Sequence, residues 1–147
     1  MPEFKETRVL VVMERIGASP ALITAIEQRA AEGSTQFRVV VPNPARAELL
    51  LLHPERHDKA AAAEKVLRLA MPAVEEAAGG HVVGSVSVRH DPMDAIEETL
   101  FSEPIDEIIL SVVPHSVSRW LHQDLQHRLR HFGLPITVVT EDAQSRA

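Results

Sequence analysis

The stretch that decides the fold is DEIILSVVPHSVSRWLHQDLQHRLRH, residues 106–131. It opens with a run of apolar and β-favouring residues, 108–113, that is too continuous for a half-exposed strand and indicates a strand inside a parallel sheet. Loop and N-cap residues follow, and from Val117 onward apolar residues recur at the spacing of one helix face. A strand, a polar turn and a helix make half of a βαβ unit. At the start of such a helix, free backbone N–H groups and the helix dipole favour an anion.

Four other segments have the composition of strands. Residues 8–12 and 36–41 are largely apolar, as expected for strands buried on both faces. Residues 81–88 alternate valine with small polar residues and glycine, which is typical of an edge strand. Residues 136–140 form a short last strand, and the polar tail follows it.

Helical periodicity separates these strands. Ser19 followed by Pro20 predicts a helix start, because serine caps free N–H groups and proline fits the first turn. A long helix is predicted over residues 55–78, with a kink or a break caused by Pro72. Asp91 is expected to cap a third helix. We expect the buried stripe of that helix to contain Met93, Ile96, Leu100 and Phe101.

The predicted order is β-α-β-α-β-α-β-α-β, which indicates an α/β fold: a single domain over residues 1–147 with a doubly wound, five-stranded parallel sheet and helices on both faces. The edge-like third strand favours the strand order 3-2-1-4-5 over 2-1-3-4-5. In that order the crevice lies between the turns at 13–19 and 111–118. The interpretation of the four successive leucines at 49–52 is left open. They could belong to a short helix, a partner-facing patch or a partly ordered insertion.

Composition excludes several classes of function. A formal charge of −6 without a basic stripe argues against nucleic-acid binding, and the absence of cysteine excludes thiolate chemistry and disulfides. The N-terminus does not resemble a signal peptide, and no stretch is long enough to span a membrane. We therefore expect a cytoplasmic protein that does not bind a membrane.

The strand-and-turn layout, together with the run DEIILS at 106–111, resembles the universal stress protein family. The fold of that family is a five-stranded sheet related to that of adenine-nucleotide-binding proteins. Members that bind ATP carry Gly-x2-Gly-x9-Gly-Ser/Thr after the fourth strand. Laid on this chain, that pattern falls on Ser111, Pro114, Asp124 and Leu125, so every element is missing. The glycines would let backbone N–H groups close on phosphates, and Pro114 has no N–H.

The chain is instead similar to the branch of that family without the ATP motif, in which S-x-x-P-x-x-x-S-R-W-L, here residues 111–121, recurs. The family's aspartate after the first strand would fall near Met13 or Glu14. We expect no cofactor. The resemblance implies a homodimer that forms through the last strand, Ile136–Thr140.

Hydroxyl and guanidinium groups converge on the two turns that flank the crevice, where they could hold a small anion or a nucleotide. The alternative interpretation is that the serines cap a helix, Arg15 pairs with Glu14, and Trp120 belongs to the core or an interface. The candidate ligand-binding residues are Ser111, His115, Ser116, Ser118, Arg119, Glu14 and Arg15.

Metal binding and serine hydrolysis are less well supported by the sequence than anion binding. Asp124, His127 and His131 share a helix face at metal-ligand spacing, but no further ligand is evident, so we expect no metal. A serine hydrolase built on Ser111 or Ser116 lacks the Gly-x-Ser-x-Gly elbow. The leading hypothesis is thus a non-enzymatic, universal-stress-like protein that binds a small anionic ligand. A ligand-free homodimeric interaction module comes second, and a small-molecule hydrolase third.

Overall fold

The computed structural model describes residues 6–13, 18–42, 55–87, 92–112 and 132–140. Within these ranges, strands and helices alternate along the chain. The strands are β1 (Thr7–Met13), β2 (Thr35–Val41), β3 (Val83–Val86), β4 (Glu107–Val112) and β5 (Ile136–Thr140), and the helices are α1 (Pro20–Ala31), α2 (Glu55–Ala78) and α3 (Pro92–Ser102). The five predicted strands and these three predicted helices are confirmed, with small differences at their ends.

The strands form one parallel sheet in the order β3-β2-β1-β4-β5. The central strand, β1, pairs with β2 on one side and with β4 on the other. The predicted strand order is confirmed, and with it the edge position of β3. The second edge of the sheet is β5, which pairs with β4.

Aliphatic side chains cover both faces of the sheet. Val9, Val11 and Met13 of β1 pack with α1 and α2, on what we call the α1–α2 face. Leu10 and Val12 pack with α3, on what we call the α3 face. Since alternate residues of one strand are buried on opposite sides, the continuous apolar runs in the sequence are explained, and the doubly wound arrangement is confirmed.

Both ends of α1 are fixed by side chains. At its start, the Ser19 Oγ accepts a hydrogen bond from the backbone N–H of Leu22 at 3.2 Å, as the capping pattern predicts. Near its end, Arg29 donates two hydrogen bonds to the Glu107 carboxylate, at 2.9 and 2.8 Å. The hydrogen bond to Glu107, together with the charge of that carboxylate, raises the pKa of Arg29 above its ordinary value against an opposing effect of burial. This pair ties α1 to the start of β4.

The helix α2 continues through Pro72, so of the two predicted alternatives the break is wrong. Its apolar side packs against the sheet, with Ala63, Ala70 and Val74 buried. The leucines at 49–52 lie outside the described residues. None of the helices that the structure describes is long and apolar enough to cross a membrane.

For one residue of α3 the predicted burial is wrong. Phe101 is 85% exposed, whereas the buried face runs through Ala95, Ile96 and Thr99. At 3.6 residues per turn, a residue five positions after Ile96 lies about 140° around the helix axis, which points Phe101 away from the sheet. Leu100 packs against the α3 face as predicted. The side chain of Met93 and the expected cap Asp91 lie outside the described residues.

Candidate functional site

The carboxyl ends of β1 and β4 lie side by side. Met13, the last residue of β1, pairs with Ser111 in the parallel register. Ser111 is also paired with Val139 of β5, so it occupies an interior position of the sheet. The strands β2 and β3 lie on one side of β1, and β4 and β5 lie on the other, so the strand order reverses between β1 and β4. Open α/β sheets form their ligand crevice at such a point. The predicted switch point between the first and fourth strands is confirmed.

Ser111 carries a buried hydroxyl that has no partner among the residues that the structure describes. The residue is 1% exposed, and its Oγ has no hydrogen bond to any group that the structure describes. Since Ile109, two residues earlier, packs on the α1–α2 face, the alternation of a strand places Ser111 on that face as well. A buried hydroxyl left unpaired costs about 1–3 kcal/mol.

The other buried hydroxyls among the described residues differ from Ser111 in this respect. The Ser19 Oγ accepts from the N–H of Leu22, the Ser87 Oγ donates to Glu98 at 3.0 Å, and the Thr99 Oγ1 donates to the carbonyl of Ala95 at 3.0 Å. Because native proteins pair nearly all buried polar atoms, an exception at a switch point calls for an explanation, and a ligand atom is one.

The start of α1 lies at the same edge of the sheet. β1 ends at Met13, and α1 begins at Pro20, so the short connection between them keeps the first turn of the helix at the carboxyl edge. Ser19, only 5% exposed, already satisfies one of the free N–H groups of that turn. The described part of the site thus combines a buried hydroxyl, a helix start and the apolar side chain of Met13.

Most of the predicted site lies on the two connections that flank the crevice, outside the described residues. These positions are Glu14, Arg15, His115, Ser116, Ser118 and Arg119, together with Trp120 and the metal candidates Asp124, His127 and His131. Of the seven candidate ligand-binding residues, the structure describes Ser111. Across the described ranges, no group of three histidine or acidic side chains could hold a metal ion.

Sequence reasoning placed Ser111 inside the strand run 108–113, grouped it with the turn that follows, and did not address its burial. The structure places it within β4, buried and unpaired, with Met13 beside it. The signal was present in the sequence: Ser111 is the single polar residue inside the run at 108–113. In a strand that is buried on both faces, a polar residue requires a partner or a role.

Comparison with solved structures shows the fold. A universal stress protein from Archaeoglobus fulgidus aligns with a TM-score of 0.60 at 15% sequence identity, over 90% of this chain and 93% of that one. The structure of the universal stress protein from the same organism in complex with dAMP aligns with a TM-score of 0.58 at 14% identity, over 93% of this chain and 99% of that one. This chain therefore has the fold of the universal stress proteins. No family model matches the sequence, and no curated protein does.

Proposed function

We propose that this chain is a non-enzymatic, universal-stress-like protein that binds a small anionic ligand or nucleotide in the crevice between the carboxyl ends of β1 and β4. The observation that carries the proposal is the unpaired, 1% exposed hydroxyl of Ser111 at that switch point. A hydroxyl can donate one hydrogen bond to a ligand oxygen and accept another from a ligand donor. In a buried setting such a bond is stronger than in water.

The universal stress protein that was solved with dAMP supports a nucleotide as the ligand. The missing glycine motif argues for a ligand with fewer phosphates than ATP. Side chains replace hydrogen at the three glycine positions of the motif, Leu125 replaces its hydroxyl residue, and Pro114 has no backbone N–H to offer. We therefore expect dAMP and AMP to bind better than ATP, with hydroxyl and guanidinium groups of the flanking turns at the phosphate.

A thermal-shift panel tests this proposal. The full chain is heated with dAMP, AMP, ADP, ATP and inorganic phosphate, each over a range of concentrations. Binding to the folded state raises the Tm progressively, by an amount that follows from the ligand concentration relative to Kd. Absence of any shift with all five compounds would refute ligand binding by this chain.

Two variants locate the binding. Ser111→Ala removes the unpaired hydroxyl and should lower the affinity for the nucleotide about tenfold, as expected for one buried hydrogen bond to a charged or polar ligand atom. Thr99→Val is the matched control, because it removes a buried hydroxyl that bonds within α3. It should leave nucleotide affinity unchanged. Equal nucleotide affinities of the wild type and Ser111→Ala would show that the Ser111 hydroxyl does not bind the ligand.

The free edge of β5 favours a second function, the homodimeric interaction module. Among the described strands this one pairs with β4 alone, so within the described part of the chain one row of its backbone groups is available to pair with a second copy of the chain. The proposed interface is Ile136–Thr140. Sedimentation at several concentrations should show a dimer, and Thr137→Lys, an exposed position on this strand, should weaken it by placing a charge at the edge. A monomer at all concentrations contradicts this interface.

A further inference from the structure

A cavity lies at the opposite end of the sheet from Ser111. It has a volume of about 280 Å³ and is lined by side chains from the first residues of β1, β2 and β3 and from the turn after α3. Arg8 and Gln36 are register partners near the starts of β1 and β2, and Val83 is the first residue of β3. Since all the strands are parallel, these positions share the amino edge of the sheet. We call this cavity the amino-end groove.

Arg8 contributes an exposed positive charge to the groove. Its backbone is held from both sides by Asp106: the N–H of Arg8 donates to Asp106 Oδ2 at 2.9 Å, and the N–H of Asp106 donates to the carbonyl of Arg8 at 2.7 Å. The guanidinium of Arg8 has neither a hydrogen bond nor an ion pair within the described part of the chain. The backbone of Arg8 is therefore fixed, whereas its charged end has no partner among the described residues.

Arg38, the second arginine of the groove, is already satisfied. Its Nε donates to Glu103 at 3.0 Å, its Nη1 to the carbonyl of Val39 at 3.0 Å, and its Nη2 to Ser85 Oγ at 3.0 Å. Such a network holds the guanidinium in one orientation, and Glu103 neutralises its charge. Arg38 and Glu103 therefore form a rigid polar wall, and of the two arginines that line the groove Arg8 is the one without a partner among the described residues.

The same groove has an apolar lining. Val83 is 54% exposed, although its register partner is the well-packed Arg38. Ile105 and Pro104, from the turn after α3, line the cavity together with Val83. Covering these side chains would remove apolar surface from water, which stabilises a bound ligand by about 25 cal/mol per Å² of apolar surface.

We propose that the amino-end groove binds a small organic carboxylate with an apolar body. The carboxylate pairs with the guanidinium of Arg8, and the apolar body covers Val83 and Ile105. The cavity volume is near the lower limit for small-molecule sites, which suits a ligand of this size. With a net charge of −6, the protein as a whole repels anions, so a carboxylate that binds needs a specific cation such as Arg8.

Amide NMR of the ¹⁵N-labelled full chain tests the proposal with phenylacetate as the probe. Two matched compounds separate its parts: acetate has the charge without the ring, and 2-phenylethanol has the ring without the charge. Phenylacetate should shift the amides of Arg8, Arg38 and Val83 with a Kd on the order of 1 mM. Acetate and 2-phenylethanol should each bind at least about fivefold more weakly, because each lacks one half of the interaction.

Variants identify the cation. Arg8→Gln should weaken phenylacetate binding about tenfold, and Arg8→Lys should retain part of it. Arg68→Gln, at an exposed position of α2, is the matched control and should bind like the wild type. The proposal is overturned if phenylacetate leaves the groove amides unchanged, if 2-phenylethanol binds equally well, or if Arg8→Gln binds as tightly as the wild type. The spectrum of each variant without ligand shows whether it is folded. If Arg8→Gln does not fold, phenylacetate binding by Arg8→Lys and the comparison of the three compounds test the proposal instead.

The amino-end groove and the crevice at Ser111 are tested independently. The dAMP experiments report on the carboxyl ends of β1 and β4, and the phenylacetate experiments on the amino ends of β1 to β3. Arg8→Gln should leave dAMP affinity unchanged, and Ser111→Ala should leave phenylacetate affinity unchanged. If phenylacetate instead shifts Met13 and Ser111 and spares Arg8, the groove is not a carboxylate site.

Discussion

Met13 and Ser111 are register partners at the carboxyl ends of β1 and β4, and both are buried. Met13 contributes an apolar side chain to the core, whereas Ser111 contributes a hydroxyl with no partner in the described structure. A hydroxyl in that position does not help the free protein to fold. The ligand that we propose for the crevice would account for it.

The first prediction concerns the stability of the free protein. Ser111→Ala should leave the free energy of unfolding unchanged or raise it by up to about 1 kcal/mol, because it removes a polar group that is desolvated without compensation. Urea denaturation without ligand measures this. A loss of more than about 1.5 kcal/mol would mean that the hydroxyl has a stabilising partner in the free protein.

The second prediction concerns the ion pair between α1 and β4. The side chains of Arg29 and Glu107 are 18% and 28% exposed and make two short hydrogen bonds, so Glu107→Gln should lower the free energy of unfolding by about 1–3 kcal/mol. Glu32, which is 68% exposed, contacts the same arginine at 3.5 Å. Glu32→Gln is therefore the control and should cost less than about 0.5 kcal/mol.

The pH dependence of this pair follows from the raised pKa of Arg29. A cation whose pKa is higher in the folded state stabilises the fold fully below its unfolded pKa, and that stability is lost as the pH rises through the folded value. Since the ordinary pKa of arginine is above about 12, the protonation of Arg29 should not change from neutral to mildly alkaline pH. Across pH 7 to 10, the difference in stability between wild type and Glu107→Gln should stay constant. A decrease over this interval would contradict the assignment.

The third prediction concerns a close approach between β3 and α2. A Cβ built on Gly84 would lie 2.9 Å from both Leu67 Cδ1 and Met71 Sδ. Because both atoms lie in the outer parts of flexible side chains, we expect Gly84→Ala to cost about 1 kcal/mol, at the lower end for overpacking. Gly80→Ala meets no atom within 4 Å and is the control, with an expected change below about 0.5 kcal/mol. Chemical denaturation measures both, and equal effects would contradict the close packing.

The fourth prediction tests the orientation of α3. Phe101 is exposed and Ile96 is fully buried on the same helix. Phe101→Gln should change the free energy of unfolding by less than about 0.5 kcal/mol, whereas Ile96→Ala should lower it by about 2–5 kcal/mol. A large loss of stability with Phe101→Gln would mean that this side chain is covered in solution.

The fold was predictable because its signals are local and repeated. Continuous apolar runs at residues 8–12 and 108–113 mark strands buried on both faces, and the Ser19–Pro20 pair marks a helix start. The alternation at residues 81–88 indicated an edge strand, and this selected the strand order. Phe101 was wrongly predicted to be buried because its hydrophobicity was considered without its angle around the helix axis. That angle points it away from the buried face of α3.

The candidate site was predictable in position and not in detail. The strand order alone locates the crevice, since the carboxyl ends of β1 and β4 must meet there. Whether a serine hydroxyl is paired depends on side chains that are distant in sequence, and no local pattern reveals it. The amino-end groove was missed for the same reason: Arg8, Arg38 and Val83 come from three separate strands and meet only after the sheet forms.

The most direct test of the central claim is an amide NMR titration of the full-length wild-type chain with dAMP. If a nucleotide binds at the switch point, the resonances of Met13 and Ser111 will shift in a saturable manner, and those of Arg8 and Val83 at the opposite edge will not. If saturating dAMP leaves Met13 and Ser111 unchanged, the crevice between β1 and β4 does not bind this nucleotide, and the proposed function is contradicted.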